Sequence, residues 1–337
     1  MLVDGGIGFG SDASFVYGVA KEQERLGYDG LWAPETGHDP FIALSMAAQA
    51  TDKIELGTGI AVAFARNPMS LAMVANDLQI LSKGRFILGL GSQIKPHIEK
   101  RFSMPWSHPG RRMREMILAM RAIWDCWHKG TKLDFHGEFY THTLMTPFFN
   151  PGPSQYGAPK VFLAAVGELM AETAGEVADG ILVHGFTTEK YLKEVTVPAF
   201  EKGMAKVNKQ RDNFQVSYPA FVVTGTNDEQ KLIADKAVRG QIAFYGSTPA
   251  YRPVLEAHGW GDLQSELHPM SKAGKWAEMA ELITDEVLEE FAVVGEVSEI
   301  AGKLKARFGS VVDRISFYAP YQLDQDAWLQ IIAELKK

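Results

Sequence analysis

The sequence predicts an α/β fold, a closed parallel (β/α)8 TIM barrel carrying loop insertions, with residues 1–337 forming a single domain. Three observations predict it. Short apolar runs recur along the chain, each ending in small or polar residues. Amphipathic stretches separate them. The connections carry helix-start and helix-stop signals within a few residues of each run, as βα units require. Five runs are read directly: 30–33, 54–60, 85–91, 160–165 and 180–183. Gly5–Phe9, Phe214–Val223 and Arg314–Tyr318 bring the count to eight. A typical barrel of this kind needs roughly 250 residues. The surplus is assigned to insertions at about 92–109, 131–159 and 245–290.

Taken in order, the first helix has Ser11 or Asp12 as its cap, Phe15, Val16, Val19 and Leu26 roughly on one face, and Gly27 as its stop. Asp39-Pro40 starts the second helix, with a capping carboxylate followed by a proline at the first helical position. Asn67-Pro68 repeats the device after the third strand, and Lys83-Gly84 closes the helix it opens. Ser92–Pro109 reads as a long loop, followed by a helix from about Gly110 to Trp127. Residues 132–144 alternate around His136-Gly137 as a hairpin or excursion, and the proline-rich 146–159 stretch reads as a loop over the barrel mouth. Asn227–Phe244 is helical, Tyr245–Leu288 irregular, and Glu296–Phe308 and Asp324–Lys336 close the chain as helices.

The bulk numbers exclude several classes. With 46% hydrophobic and 22% charged residues, the chain is an ordinary globular one that can bury a large core. A net charge of −7 argues against a dedicated nucleic-acid binder, though not against an anionic cofactor. Cys126 is the one cysteine, so no intrachain disulfide is possible. Residues 1–9 lack the basic start and apolar core of a signal peptide, and no run approaches a membrane span, so the expected location is the cytoplasm.

A barrel of this type carries its chemistry where strands end and loops begin. Phosphate-loop, zinc-protease and nucleophile-elbow motifs are absent. Residues 5–10 are glycine-rich without dinucleotide spacing, as suits a backbone bending at a crowded mouth. Glu35, Thr36 and His38 follow the second strand, where a carboxylate and an imidazole can perform acid–base work. The alternative is ordinary polarity ahead of a helix cap. No further ligands join His38 and Asp39 convincingly, so no metal site is read. Thr58-Gly59-Ile60 ends the third strand, and its glycine fits either a plain β-bulge or an edge on which a flat ring stacks. Ser92 and Gln93 supply hydrogen-bonding groups after the fourth strand. Lys95, His97 and Arg101 follow, either as solvated charge or as site residues. Ala165-Val166-Gly167-Glu168-Leu169 leads the fifth strand into a helix whose start can receive a phosphate, or is simply a tight turn. The basic 111–114 run at a helix start reads as a salt-bridged outer face or as the neighbour of an anion.

Residues 26–32, 54–60, Asn67-Pro68 and 84–92, in that order and spacing, resemble the bacterial luciferase-like superfamily of flavin and deazaflavin oxidoreductases. The resemblance continues through 178–180 and Val294-Gly295 and covers nearly the whole chain. Residues 91–106 are similar to a subgroup assigned to coenzyme F420, a 5-deazaflavin. Flavin monooxygenase relatives carry a Trp-Asn-Glu-like run where this chain has Gln93-Ile94-Lys95-Pro96. The resemblance implies a non-proline cis peptide at Gly59–Ile60 behind the cofactor ring. It also implies ring-edge contacts from Glu35 and Thr36, where relatives often have Asp-His, a cofactor-contacting hydroxyl at Ser92, and a phosphate-binding turn at Ala165–Leu169. The full cofactor set is Glu35, Thr36, Thr58, Gly59, Ile60, Ser92, Gln93, Ala165, Val166, Gly167, Glu168, Leu169 and His184, with Glu35, His38 and His97 as catalytic candidates.

The implied activity is F420-dependent hydride transfer to or from a small carbonyl, alcohol or activated double bond. FMN-dependent monooxygenation and non-catalytic deazaflavin or flavin binding are the alternatives. The expected partners are a small-molecule substrate and further copies of the chain in a homodimer or larger homo-oligomer, with neither nucleic acid nor membrane.

Overall fold

The computed structural model describes residues 1–8 and 13–337. The predicted caps Ser11 and Asp12 and the predicted strand end at Phe9 lie outside them. Eight parallel strands form the barrel: β1 (Leu2–Gly6), β2 (Gly30–Ala33), β3 (Glu55–Thr58), β4 (Phe86–Gly91), β5 (Lys160–Ala165), β6 (Gly180–Val183), β7 (Gln215–Val223) and β8 (Arg314–Tyr318). Hydrogen-bonded neighbours run β7–β8–β1–β2–β3–β4–β5–β6, and β6 also pairs with β7, which closes the ring. Such sequential parallel order is what helical crossovers between successive strands produce.

The first strand is earlier than the sequence suggests, at Leu2–Gly6 instead of Gly5–Phe9. Val3 is fully buried and anchors it. Asp4 pairs with Gly30 and Gly6 with Trp32, and the Ile7 N–H donates to Trp32 O at 2.9 Å. A two-residue apolar start ahead of two glycines is too short to stand out as a run.

The chain divides into two compact units, with the division falling within β1, β6, the helix Val197–Ala205 and β7. The first comprises Asp4–Leu182 and Ala199–Gln215. Its helices are α1 (Ala13–Arg25), α2 (Pro40–Ala50), α3 (Pro68–Leu81), α4 (Lys95–Lys100), α5 (Pro109–Lys129) and α6 (Glu168–Val177). The sequence signals act as expected. Asp39 accepts the Phe41 N–H at 2.8 Å, Asn67 accepts the Ser70 N–H at 2.9 Å, and Gly27 and Gly84 end their helices at φ of 85° and 90°. In α5, Met113, Met116, Ile117, Met120, Ile123, Trp124 and Trp127 are buried at helical spacing. Each large side chain so buried contributes about 1.5–3 kcal/mol of transfer free energy.

The basic run on α5 is mainly a salt-bridged face. Arg111 pairs with Glu138, and Arg114 with Glu176 at 2.6 Å. Arg112 is buried, stacks 4.9 Å over Phe64 and donates to Pro105 O at 2.6 Å. The predicted hairpin is an antiparallel ribbon, Phe135–His136 with Thr141–His142. The Glu115 carboxylate anchors its turn by accepting the N–H groups of Glu138, Phe139 and Tyr140 at 2.9, 2.7 and 2.6 Å.

The second unit comprises Met1–Val3, Val183–Pro198 and Val216–Lys337. The 245–288 stretch, expected to be irregular, is largely helical: Arg252–Glu256, Gly261–Lys272, Trp276–Glu281 and Asp285–Phe291 follow the helix Asp228–Gly246. Left-handed Gly259 and Gly274 break it into pieces too short to show a helical period in sequence. These helices bury Val238, Ile242, Leu255, Leu267, Met279 and Leu288 with Phe186 and Phe291. A short strand missed in the sequence, Ala292–Val294, pairs with β7. No helix among the described residues is long and apolar enough to cross a membrane.

Candidate active site

The site in the first unit is built around an interruption of β3. Regular pairing stops at Thr58 and resumes at Ala61–Val62, which pair with Leu90 and Gly91 of β4. Thr58, Ala61 and Val62 are fully buried, whereas Gly59 between them is exposed and Ile60 partly so. The Gly59–Ile60 peptide bond is cis. The bulge is held along its length. Gly59 N–H donates to Ala33 O at 2.8 Å, Ile60 O accepts the Glu35 N–H at 3.2 Å, and Thr58 Oγ1 donates to Gly89 O at 2.7 Å.

Two glycines make this geometry possible by close approach. A Cβ on Gly57 would lie 2.4 Å from the Trp32 ring, and one on Gly89 would lie 1.9 Å from the backbone oxygen of Thr58. Trp32 therefore lies across β3 beneath the bulge. Its indole N–H donates to Asp4 Oδ2 at 2.8 Å, which fixes the ring.

Glu35 follows β2 and its carboxylate reaches the far side of the bulge. Oε2 accepts the Val62 N–H at 2.7 Å and Arg66 Nη1 at 2.6 Å, and Arg66 Nη2 reaches Asp39 Oδ2 at 2.8 Å. Burial works against the Arg66 charge, but its bonds to Glu35 and Asp39 outweigh that and hold the guanidinium pKa above its ordinary value. Glu35 thus braces Ile60 through its backbone and Val62 through its side chain. Arg66, missed in the sequence, is the hub of this network. Its position just before the Asn67-Pro68 start and two positions after Phe64 marked it as a strand-end residue. Arg101 donates to Thr36 O, which ties the 92–108 loop to the same corner.

The remaining candidates are placed as follows. Ser92 Oγ donates to Gln93 O at 3.1 Å, and Gln93 adopts φ of 61° with Oε1 accepting the Ile94 N–H at 3.0 Å. His38 and His97 are both exposed, and no side-chain hydrogen bond ties either to Glu35. At the start of α6, Ala165 is buried, Val166 partly exposed, and Gly167, Glu168 and Leu169 exposed. A Cβ on Gly167 would meet nothing within 4 Å, and the cap carries no side-chain bond; the Met170 N–H turns back to Gly167 O at 3.1 Å, which leaves the N–H groups of Glu168 and Leu169 without an intrahelical partner. His184 lies in the second unit, directly after β6. Its Nδ1 accepts the Phe186 N–H at 3.0 Å, and Nε2 lies 3.1 Å from the Tyr251 hydroxyl. Burial pushes its pKa down to about 4.

The sequence profile of luciferase-like monooxygenases matches residues 3–314. The chain belongs to that family. A protein of Mycobacterium tuberculosis, known only as uncharacterized, is 60% identical over 297 residues, covering 88% of this chain and 87% of its own. A 5,10-methylenetetrahydromethanopterin reductase of Archaeoglobus fulgidus is 26% identical over 324 residues, 93% of this chain and 92% of the reductase. Among solved structures, the coenzyme F420-dependent tetrahydromethanopterin reductase from Methanopyrus kandleri superposes with a TM-score of 0.80 at 19% identity, over 99% of this chain and 97% of that one. The TIM-barrel fold and the resemblance read from the sequence are therefore both met, and the protein is a luciferase-like oxidoreductase.

Proposed function

We propose that this luciferase-like protein is a coenzyme F420-dependent oxidoreductase that transfers a hydride between the deazaflavin and a small carbonyl, alcohol or activated double bond. The observation that carries the reading is the exposed Gly59–Ile60 backbone, braced over Trp32 between fully buried strand segments. A bulge with a glycine at its exposed position and a rigid underside offers a flat ring a surface. Residues 91–106, with their similarity to the deazaflavin subgroup, favour F420 over FMN, and whole-chain likeness to a methylenetetrahydromethanopterin reductase supports a reductase.

The residues present fit the cofactor. Thr58, Gly59 and Ile60 would hold one face of the ring, Glu35 and Thr36 its edge, and Ser92 and Gln93 its polar rim. The open Gly167–Leu169 turn, with Ala165 and Val166 behind it, would hold the anionic tail through first-turn N–H groups. When bound, a 5-deazaflavin supplies two-electron hydride chemistry. Glu35 positions the bulge through Val62 and Arg66. His38 and His97, exposed and free of side-chain bonds, remain available to exchange a proton with substrate and solvent. His184, expected from the sequence as a cofactor contact, spends both ring nitrogens within the second unit.

The test is anaerobic titration of the purified protein with oxidised F420 and with FMN, followed by addition of secondary alcohols. Saturable F420 binding and loss of deazaflavin fluorescence on alcohol addition support the reading. FMN binding with oxygen-dependent turnover would replace it with a monooxygenase.

The protein also forms a homodimer on this reading. α2 has no charged residue and α3 only Asp77, yet Ile42, Met46, Met73 and Ile80 are 61%, 39%, 54% and 45% exposed. Helices apolar on nearly all sides need a covering surface, and a second copy of the same face supplies one.

A further inference from the structure

The second unit contains an aromatic cluster that the cofactor reading leaves unused. His184 follows β6, and Tyr318 is the last residue of β8. Tyr245 lies near the end of the helix Asp228–Gly246, and Tyr251 ends the turn Pro249–Tyr251. The His184 ring stacks on Tyr251 at 4.6 Å and meets Tyr245 edge-on at 4.7 Å. Tyr245 in turn lies 6.1 Å from Tyr318. Buried Phe186 backs the group, 5.6 Å from Tyr251. His184 and the three tyrosines are all partly exposed.

The hydrogen bonds fix the direction of every proton but one. The Phe186 N–H donates to His184 Nδ1, so a neutral imidazole must carry its proton on Nε2. Nε2–H then donates to the Tyr251 oxygen, and Tyr251 keeps its own O–H for another acceptor. Tyr245 and Tyr318 share one bond at 2.7 Å, and whichever donates, the other retains a proton. Among the described residues no acceptor takes either of these two protons. The field is neutral as well. Burial is the main cause raising the pKa of Tyr245, Tyr251 (to about 12) and Tyr318. Neighbouring tyrosines add to the rise at Tyr251 and Tyr318, the Tyr318 bond offsets part of it at Tyr245, and no ammonium, guanidinium or carboxylate contributes. Tyrosines held protonated beside a neutral imidazole present two hydroxyl protons with no acceptor of their own among the described residues.

We propose that Tyr251 and the Tyr245–Tyr318 pair, with His184 fixing Tyr251, form a binding site for a flat, uncharged, carbonyl-bearing molecule. Its ring would pack on the aromatic faces and its oxygen would accept from the two unspent hydroxyls. A cation offers no acceptor and would leave both hydroxyl protons unspent, and an anion would find no countercharge. This site stands apart from the cofactor reading, and its test needs no turnover.

The probe is acetophenone, compared with benzylammonium and benzoate, in saturation-transfer NMR and calorimetric titration of the full chain with and without added F420. Acetophenone is expected to bind at millimolar concentrations and the two ions to bind at least fivefold more weakly. Tyr251→Phe and Tyr318→Phe keep the rings and remove one hydroxyl each, and each is expected to weaken acetophenone about fivefold, as loss of one neutral hydrogen bond does. Nitrogen-15 NMR of His184 should show the proton on Nε2 in the wild type. No acetophenone binding by the wild type, equal binding of either ion, unchanged binding in both variants, or a proton on Nδ1 would each overturn the proposal. Because apo protein is used in one arm, a failure of F420 to bind leaves this result readable.

Discussion

Replacing Gly89 with alanine tests the braced bulge directly. The new Cβ would lie 1.9 Å from the Thr58 backbone oxygen and 2.9 Å from Leu182 Cδ1. A backbone oxygen inside a barrel cannot rotate away as a side-chain tip can, so β3 and β4 must separate. Overpacking of this kind costs about 1–3 kcal/mol. The separation also stretches the 2.7 Å bond from Thr58 Oγ1 to Gly89 O, worth about 0.5–1.5 kcal/mol. Reduced unfolded-chain freedom returns about 0.4–1 kcal/mol. The net expectation is about 0.5–4 kcal/mol of destabilisation, read by urea denaturation. Gly167→Ala is the internal control: its Cβ meets nothing within 4 Å and its φ of −115° suits alanine, so the same loss of unfolded-chain freedom should leave it at or slightly above wild-type stability. If Gly89→Ala proved as stable as Gly167→Ala, the close contact between β3 and β4 would be wrong, and with it the account of how the bulge is held.

Further outcomes follow from the same geometry. Arg66→Met leaves Glu35 with only the Val62 N–H and should destabilise by about 1–3 kcal/mol in chemical denaturation, while a cycle with Glu35→Gln should show strong coupling; additive effects would separate the two residues. His184 has a folded pKa of about 4, below its unfolded value near 6.5, so its contribution is fully present above pH 6.5 and is lost as pH falls toward 4. Linkage gives about 2 kcal/mol lost between pH 7 and pH 5; His184→Gln should remove that part of the pH slope, and an unchanged slope would place the effect elsewhere. Met73→Glu on α3 should convert a dimer to a monomer in light scattering, and a wild-type monomer would remove the dimer proposal.

Much of the fold was legible because its punctuation is local. Asp39-Pro40, Asn67-Pro68 and Lys83-Gly84 act through bonds within a few residues, and the structure shows those caps and stops where the sequence placed them. The 245–290 region was not legible because its helices are short and broken by left-handed glycines. The first strand was misplaced because Val3, its anchor, is flanked by only one other apolar residue. At the site, Gly59 and Glu35 stood out by position, but the network joining Glu35 to Arg66 spans 31 residues and exists only once β2 and β3 are paired. The same holds for Trp32 beneath Gly57, a contact between neighbouring strands that no single segment reveals.

The central claim is that a deazaflavin ring rests on the exposed Gly59–Ile60 edge. Equilibrium titration with F420 and FMN, repeated on Gly59→Val, measures it most directly. The account predicts F420 bound at least tenfold more tightly than FMN by the native protein and weakened at least tenfold in the variant, whose added side chain grows toward Trp32, with its Cβ 3.4 Å from the Trp32 Cβ, and lifts the edge off its support. Equal F420 affinity in the folded variant, or tighter FMN binding by the native protein, would contradict it.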